Sequence, residues 1–197
     1  RDVSRELGKD IELVIIKPRF LCAEAACEGH EEVLILCGDT PLIRAETLRE
    51  MIDAHHREQA ALTLMTTQVL EPFGYGRILK DTRGIIQAIV EEKDASPGQK
   101  AIREINTGMM VLPASRLAGW LAALDNRNAQ GEYYLTDVIG LAVTDGLAVT
   151  AVPVEQSWQA AGINSKRQLA ELERIYQRNE AGRLLDQGVR SEERRVG

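Results

Sequence analysis

At 197 residues the chain is long enough for one large α/β core or two small domains, and its 44% apolar content is ordinary for a soluble globular protein. Lys plus Arg number 24 against 30 Asp plus Glu, a net charge of −6, and no dense basic stripe or aromatic platform is present, so nucleic acid is excluded as an expected partner. The longest apolar runs are far too short to span a bilayer and the opening residues show no signal-peptide pattern, which makes a cytoplasmic protein the expectation.

From Arg1 to about Gly29 no regular period develops. Ile11 to Ile16 could form a strand, but the pattern stops at Lys17-Pro18-Arg19, and the chain opens without an initiator methionine, as expected of a piece of a longer gene. Cys22, Cys27 and Cys37 are odd in number and lack C-x-x-C spacing, so reduced thiols are expected rather than a disulfide framework or a zinc site, with Cys37 buried.

Val33-Leu34-Ile35-Leu36 is an apolar run without alternation, the pattern of a strand covered on both faces, and Cys37 should end it. Gly38 then lets the backbone come close to a ligand, Asp39 projects from the carboxyl end of the strand, and Pro41 prevents continuation. In open α/β sheets that edge binds ligands. These residues alone leave two readings of Asp39 open: it holds a divalent cation against a phosphate, or it caps the following helix or turn.

Arg44 to Glu58 places Leu48, Met51, Ile52 and His55 on one helical face. The adjacent His55 and His56 point about 100° apart on a helix, so one is expected against the core and the other in solvent rather than both on one ion. Ala61 to Thr66 reads as a second buried strand, reached by a right-handed crossover. Gly74-Tyr75-Gly76 is too short for a dinucleotide fingerprint and suits a loop whose backbone amides approach a ligand. Asp81-Thr82-Arg83-Gly84 joins two short apolar arms, Ile78–Lys80 and Ile85–Val90, as a hairpin, and the charged Glu91-Glu92-Lys93-Asp94 follows. Ala95 to Gln99 is a surface loop. Met109 to Leu112 is a buried strand with Asn106 at its entrance, where an amide serves backbone or a ligand hydroxyl.

Ala114 to Leu124 should be a helix bearing Leu117, Trp120, Leu121 and Leu124, and Glu132 to Asp137 should open another that runs to Ala142. Val149 to Val154 is the last strand. Ser165-x-x-Gln168 is a capping box for a long helix that Gly182, costing about 1 kcal/mol relative to alanine, should fray or break. Arg190 to Gly197 changes composition abruptly and reads as a non-native tail.

Six separated segments now stand in one order: Cys37-Gly38-Asp39-Thr40-Pro41-Leu42-Ile43, Gly74-Tyr75-Gly76-Arg77-Ile78, Val90-Glu91-Glu92-Lys93-Asp94, Glu104-Ile105-Asn106-Thr107-Gly108, Gln130 through Asp137, and Gly162-Ile163-Asn164. Over roughly Glu31 to Val189 they resemble the uridylyltransferase (pyrophosphorylase) domain of the bacterial bifunctional N-acetylglucosamine-1-phosphate uridylyltransferase and glucosamine-1-phosphate N-acetyltransferase family. The resemblance implies an α/β, Rossmann-like nucleotide-sugar transferase fold with a mostly parallel central sheet, a β-hairpin insertion and a long C-terminal arm helix. It implies Mg²⁺ as cofactor, held by Asp39 and Asn164, which are also the catalytic pair. Cys37 and Gly38 would lie beside the nucleotide, Gly76, Glu91 and Asn106 would bind the sugar, and Tyr134 and Thr136 would stand near its acetamido group. UTP and N-acetylglucosamine 1-phosphate are the implied substrates and UDP-N-acetylglucosamine the product. A homo-oligomer is implied for the whole family protein, through its β-helix domain.

The departures bear on activity. The family's Leu-Ala-Ala-Gly-x-Gly-Thr-Arg-Met loop and its nearby lysine, which hold the triphosphate, are not in this sequence, and Leu7-Gly8 is at most a remnant of a Gln-Leu-Gly-Thr segment. Ser165 stands where a second asparagine is usual and Ala161 where an acidic residue is common. The expected organisation is an N-terminal segment of uncertain origin (1–30), a truncated nucleotidyltransferase domain (31–164), an arm helix (165–189) and the tail (190–197). A related sugar-1-phosphate nucleotidyltransferase with another base or sugar, and a non-catalytic nucleotide-sugar-binding module, are the competing readings.

Overall fold

A computed structural model describes residues 29–189; the expected strand at Ile11–Ile16, Leu7-Gly8, Cys22, Cys27 and the tail from Arg190 lie outside the described residues. The elements are β1 (Glu32–Ile35), α1 (Ala45–Arg57), β2 (Leu62–Gln68), β3 (Arg77–Lys80), β4 (Ile86–Val90), α2 (Pro97–Lys100), β5 (Glu104–Pro113), α3 (Ala114–Ala123), α4 (Val138–Thr144), β6 (Val149–Pro153) and α5 (Lys166–Asp186). Short 3-10 helices cover Leu135–Asp137 and Ser157–Ala160.

One sheet runs in the order β4-β3-β5-β2-β6, with β1 also on β5. The ten-residue β5 serves two neighbours along one edge, β3 at Ile105 and β1 at Met110 to Pro113, while β2 occupies its other edge. The α/β fold class holds, but the sheet is not mostly parallel: among the described residues only β2 and β6 pair in parallel, and the other four pairings are antiparallel. The reason is topological. β1, β2 and β6 share one direction, and β5, returning from the β3–β4 hairpin, enters between β1 and β2 in the opposite one. An unalternating apolar run reports burial on two faces and carries no information about direction.

β1 also ends two residues before Cys37, and Val33 to Cys37 are half-buried rather than buried. Its one described partner is β5, so part of its surface is left uncovered among the described residues.

Strand alternation divides the core into two layers. Leu62 and Leu64 of β2 and Met110 and Leu112 of β5 face Leu117 and Trp120 of α3 and Val138 and Ile139 of α4. Met65, Met109 and Val111 point the other way, onto Leu48 and Met51 of α1. The amphipathic reading of α1 is met: Leu48, Met51 and His55 are buried, and His56 is exposed. No side chain caps the N-terminus of α1 from Arg44; the buried Gln159 Oε1 accepts from the Arg44 N–H (3.3 Å) and the Thr47 hydroxyl (2.8 Å), pinning that end to the chain after β6.

Three local expectations differ. Ser96-Pro97-Gly98-Gln99, expected as loop, is a capping box that starts the short α2. Leu135–Asp137 forms a 3-10 turn before α4, so the α-helix begins at Val138 and not at Glu132. Finally, α5 runs unbroken through Gly182 to Asp186, since about 1 kcal/mol of lost propensity is small beside the helical turns on both sides.

Candidate active site

After β1 the chain turns at Cys37–Thr40, where the Thr40 hydroxyl donates to the Cys37 carbonyl at 2.8 Å. The turn presents Asp39, whose carbonyl accepts from the Ile163 N–H at 3.0 Å. That bond joins the segment after β1 to the segment after β6. Gly162 closes the approach: a Cβ there would lie 2.7 Å from Asp39 Oδ2 and 3.8 Å from Asn164 Nδ2, so a single point lies within 4 Å of both side chains. Asn164 is in turn held by the start of α5. Gln168 Oε1 accepts from the Asn164 N–H (2.8 Å) and the Ser165 hydroxyl (3.2 Å), while Ser165 Oγ accepts from the Gln168 N–H. Only half of the expected capping box forms: Ser165 caps Gln168, but the return bond from Gln168 goes to the Asn164 N–H and not to that of Ser165.

Across the cleft, Gly76 precedes β3 and Glu91 follows β4. A Cβ on Gly76 would meet Ile89 Cγ2 at 2.8 Å and the Glu91 carboxylate oxygens at 3.1 and 3.3 Å, so glycine is what lets that carboxylate lie against the loop. The Gly76 carbonyl accepts from the Asn106 N–H at 2.8 Å, which places Asn106 beside both. Asn106 lies inside β5, not at its entrance as the sequence suggests. There β5 bulges against β2, with Gly108 at φ 80°, and Asn106 Oδ1 accepts from the Gly108 N–H at 3.1 Å.

The result is a cleft of about 390 Å³ lined by Cys37, Asp39, Gly76, Glu91, Asn106 and Asn164 among others. These expected site residues come from separate segments and meet in one place. Gly38, Tyr134 and Thr136 do not line it. Thr136 stands directly behind, its hydroxyl donating to Glu91 Oε1 at 2.8 Å, and the Tyr134 hydroxyl accepts from Gln130 Nε2 at 2.9 Å. Gln168, Thr40, Phe73 and Gly108 also line the cleft but were not among the expected site residues. For Gln168 the cap motif was the available signal, because a cap at a sheet edge fixes the residues before the helix as well as the helix itself.

Electrostatics separate the thiol from the polar groups. Burial pushes the Cys37 thiol up, with the Asp39 charge adding to the effect, so it stays protonated at neutral pH and is no candidate nucleophile. The Tyr134 hydroxyl is likewise pushed up, first by desolvation. No group of three or more His, Cys, Asp or Glu side chains suited to a metal ion occurs among the described residues. What Asp39 and Asn164 offer is a carboxylate and an amide, two hard oxygen donors, a set that suits a divalent cation completing its shell with ligand phosphate oxygens.

Residues 16–169 match the family model described as nucleotidyl transferase. The bifunctional protein GlmU of Chromobacterium violaceum is 55% identical over 161 residues, covering 80% of this chain and 34% of that protein. GlmU of Stutzerimonas stutzeri is 55% identical over 191 residues, 94% of this chain and 42% of that protein. The chain therefore spans between about a third and two fifths of the length of these curated relatives. Among solved structures, one described as a glucose-1-phosphate thymidylyltransferase from Bacillus anthracis superposes with a TM-score of 0.59 at 17% identity, covering 85% of this chain and 62% of that one. A CMP:2-keto-3-deoxy-manno-octonic acid synthetase complexed with CTP gives 0.56 at 11% identity, covering 81% and 67%. At such identities the structural likeness speaks for a Rossmann-like nucleotidyltransferase fold alone. It is the family model, matched over most of the sequence and across every segment of the cleft, that decides membership: the chain belongs to the nucleotidyl transferase family.

Proposed function

We propose that the cleft is the sugar- and metal-binding side of a site that forms UDP-N-acetylglucosamine and pyrophosphate from UTP and N-acetylglucosamine 1-phosphate. The observation that carries this reading is the meeting of Asp39, Glu91, Asn106 and Asn164 at one cleft from four separate segments. The choice of base and sugar rests on the resemblance of the six sequence segments, and the two GlmU relatives at 55% identity are in keeping with it.

In the proposed reaction a phosphate oxygen of the sugar 1-phosphate attacks the α-phosphorus of UTP in line, and the bond to the β-phosphate breaks to release pyrophosphate. No covalent intermediate on the protein is needed, which agrees with a Cys37 thiol held protonated. Catalysis then consists of positioning and of neutralising developing charge. Mg²⁺, held by Asp39 and Asn164, would supply that neutralisation at the phosphates. Glu91 accepts hydrogen bonds from sugar hydroxyls, and Asn106, whose Oδ1 is taken by Gly108, offers its Nδ2 hydrogens. Gly76 keeps the space between them open. Thr136 holds Glu91 from behind, and Tyr134, outside the cleft lining, is assigned no contact with the sugar.

The triphosphate side would be supplied by the family's glycine-rich loop and lysine, which this sequence does not contain. Losing one such transition-state contact costs about 3 kcal/mol, roughly a hundredfold in rate. The 197-residue chain should therefore bind UDP-N-acetylglucosamine while turning over little or not at all. The test is titration of UDP-N-acetylglucosamine with and without Mg²⁺, followed by pyrophosphate release from UTP and N-acetylglucosamine 1-phosphate, beside a version carrying the loop. Preference for another sugar nucleotide would favour a related transferase. Binding without turnover even with the loop restored would favour a binding module.

A further inference from the structure

Among the described residues Arg77 is the largest side chain removed almost wholly from solvent, at 1% exposure, and it is a cation. It sits at the start of β3, one residue after Gly76, opposite Val90 of β4. Its Nη2 pairs with Glu92 Oε2 and its Nη1 donates to the Tyr75 carbonyl, while Nε has no hydrogen-bond partner among the described residues. Glu92 does more than balance the charge. The same Oε2 accepts from the Gly74 N–H at 3.3 Å, and Oε1 lies 3.8 Å from Lys100 Nζ of α2. The Arg77 hydrogen bond, ahead of the Gly74 amide and the two cationic charges, holds the Glu92 carboxyl below the usual carboxylate range.

The consequence is geometric. Arg77 follows Gly76 and Glu92 follows Glu91, so the pair clamps the two backbone segments that present the sugar-side groups. The Tyr75 N–H donates to the Pro72 carbonyl at 3.2 Å and the Gly76 carbonyl accepts from Asn106, but the side-chain packing of the clamped loop is sparse: Gly74 is at φ 85° and Phe73 is 82% exposed. Across it, a Cβ on Gly76 would collide with Ile89 Cγ2 at 2.8 Å and crowd the Glu91 carboxylate oxygens at 3.1 and 3.3 Å. An ion pair with its cation buried is a poor source of net stability compared with an apolar pair of the same volume, because the guanidinium must be desolvated. Its usefulness here lies in fixing the separation of the Gly74–Gly76 turn and the Glu91 carboxylate.

We propose that Arg77 and Glu92 are positioning residues of the sugar subsite, setting its recognition of the sugar moiety while leaving nucleotide affinity unchanged. This rests on the assignment of Gly76, Glu91 and Asn106 to the sugar.

The readout is the ratio of the dissociation constants of UDP and UDP-N-acetylglucosamine with Mg²⁺, measured by calorimetry on the 197-residue chain and on Arg77→Lys and Glu92→Gln. Lysine keeps the charge but not the two-pronged geometry, and glutamine keeps an acceptor for Gly74 but not the ion pair. The expected result is UDP-N-acetylglucosamine binding weakened about tenfold, the loss of one well-placed hydrogen bond, with UDP binding unchanged. Thermal melts beside it separate folding from recognition. If the Arg77 variant fails to fold, the Glu92 variant, altered at the partly exposed end of the pair, decides alone. Variants that bind both ligands like the parent, or lose both equally, would overturn the proposal. A parent chain with no preference for the sugar nucleotide over UDP would overturn the sugar-site assignment instead.

Discussion

Asp39 and Gly162 are in contact across the sheet edge: the carboxylate Oδ2 lies 2.7 Å from where a Cβ on Gly162 would be, and the Asp39 carbonyl accepts from the next N–H, that of Ile163. The carboxylate is therefore placed by an absence of side chain. Gly162→Ala should push Asp39 away from Asn164 without disturbing either core layer, since Gly162 contributes to neither. The expected outcome is an unchanged melting temperature within about 2 °C and a loss of roughly tenfold in the Mg²⁺-dependent part of nucleotide affinity. Thermal melts check the first and calorimetric titrations at zero and saturating Mg²⁺ the second; an unaltered Mg²⁺ dependence would remove Gly162 from the site.

A second glycine acts through conformation as well as space. Gly108 sits in the β5 bulge at φ 80°, and an added Cβ would run directly into Cys37 Sγ. Left-handed backbone costs an L-residue about 1–2 kcal/mol, and the collision adds to it, so Gly108→Ala should destabilise by about 2–4 kcal/mol. Cys37→Ala removes the obstructing sulfur. In the double variant the steric part should be recovered and the backbone part should persist, a coupling of about 1 kcal/mol or more in urea unfolding. Strict additivity would mean that the bulge relaxes away from the thiol.

Much of this architecture is local and was legible. Asp81 Oδ1 accepts from the N–H groups of Arg83 and Ile85, so the turn chemistry that announces the β3–β4 hairpin is the chemistry that closes it. The period of α1 likewise sorted His55 from His56. What could not be read is non-local. The direction of β5 depends on which gap it enters, and no residue in Met109–Leu112 records that. The bulge at Gly108 depends on pairing with β2, and a glycine in a strand has several uses. Arg77 looks like any charged residue alternating with apolar neighbours, and its burial becomes intelligible only once Glu92 is seen across the hairpin. Gly182 misled for the opposite reason, a local cost weighed without the surrounding helix.

The sugar-side assignment makes a kinetic prediction for the intact enzyme that carries these residues. Glu91→Ala removes an acceptor from the sugar while leaving the Asp39 side of the cleft alone, so it should raise the Michaelis constant for the sugar phosphate at least tenfold and that for UTP by less than about twofold. Thr136→Val, which deletes the hydroxyl that donates to Glu91 Oε1, should move the same constant in the same direction by a smaller factor. Steady-state kinetics with each substrate varied in turn decides, and equal effects on both constants would place Glu91 elsewhere in the reaction.

The His55–His56 pair, though outside the cleft, gives stability a pH dependence whose direction follows from burial. His55 is 4% exposed, its Nδ1 lies 2.8 Å from the Thr63 hydroxyl of β2, and its Nε2 is 3.4 Å from Glu32 of β1, which also takes His56 Nε2 at 2.8 Å. Desolvation lowers the His55 pKa; Glu32 opposes the shift and His56 reinforces it. A folded state that binds this proton less readily than the unfolded chain is favoured while the imidazole is neutral. The contribution is therefore complete above the ordinary histidine value of about 6.5 and is lost as pH falls from there toward the lower folded value. Urea unfolding between pH 7.5 and about 5 should show stability falling on the acid side, with proton uptake on unfolding. His55→Gln keeps polar atoms that can reach Thr63 but does not titrate, so its curve should be flatter over that window. An identical slope in parent and variant would assign the pH dependence to other groups.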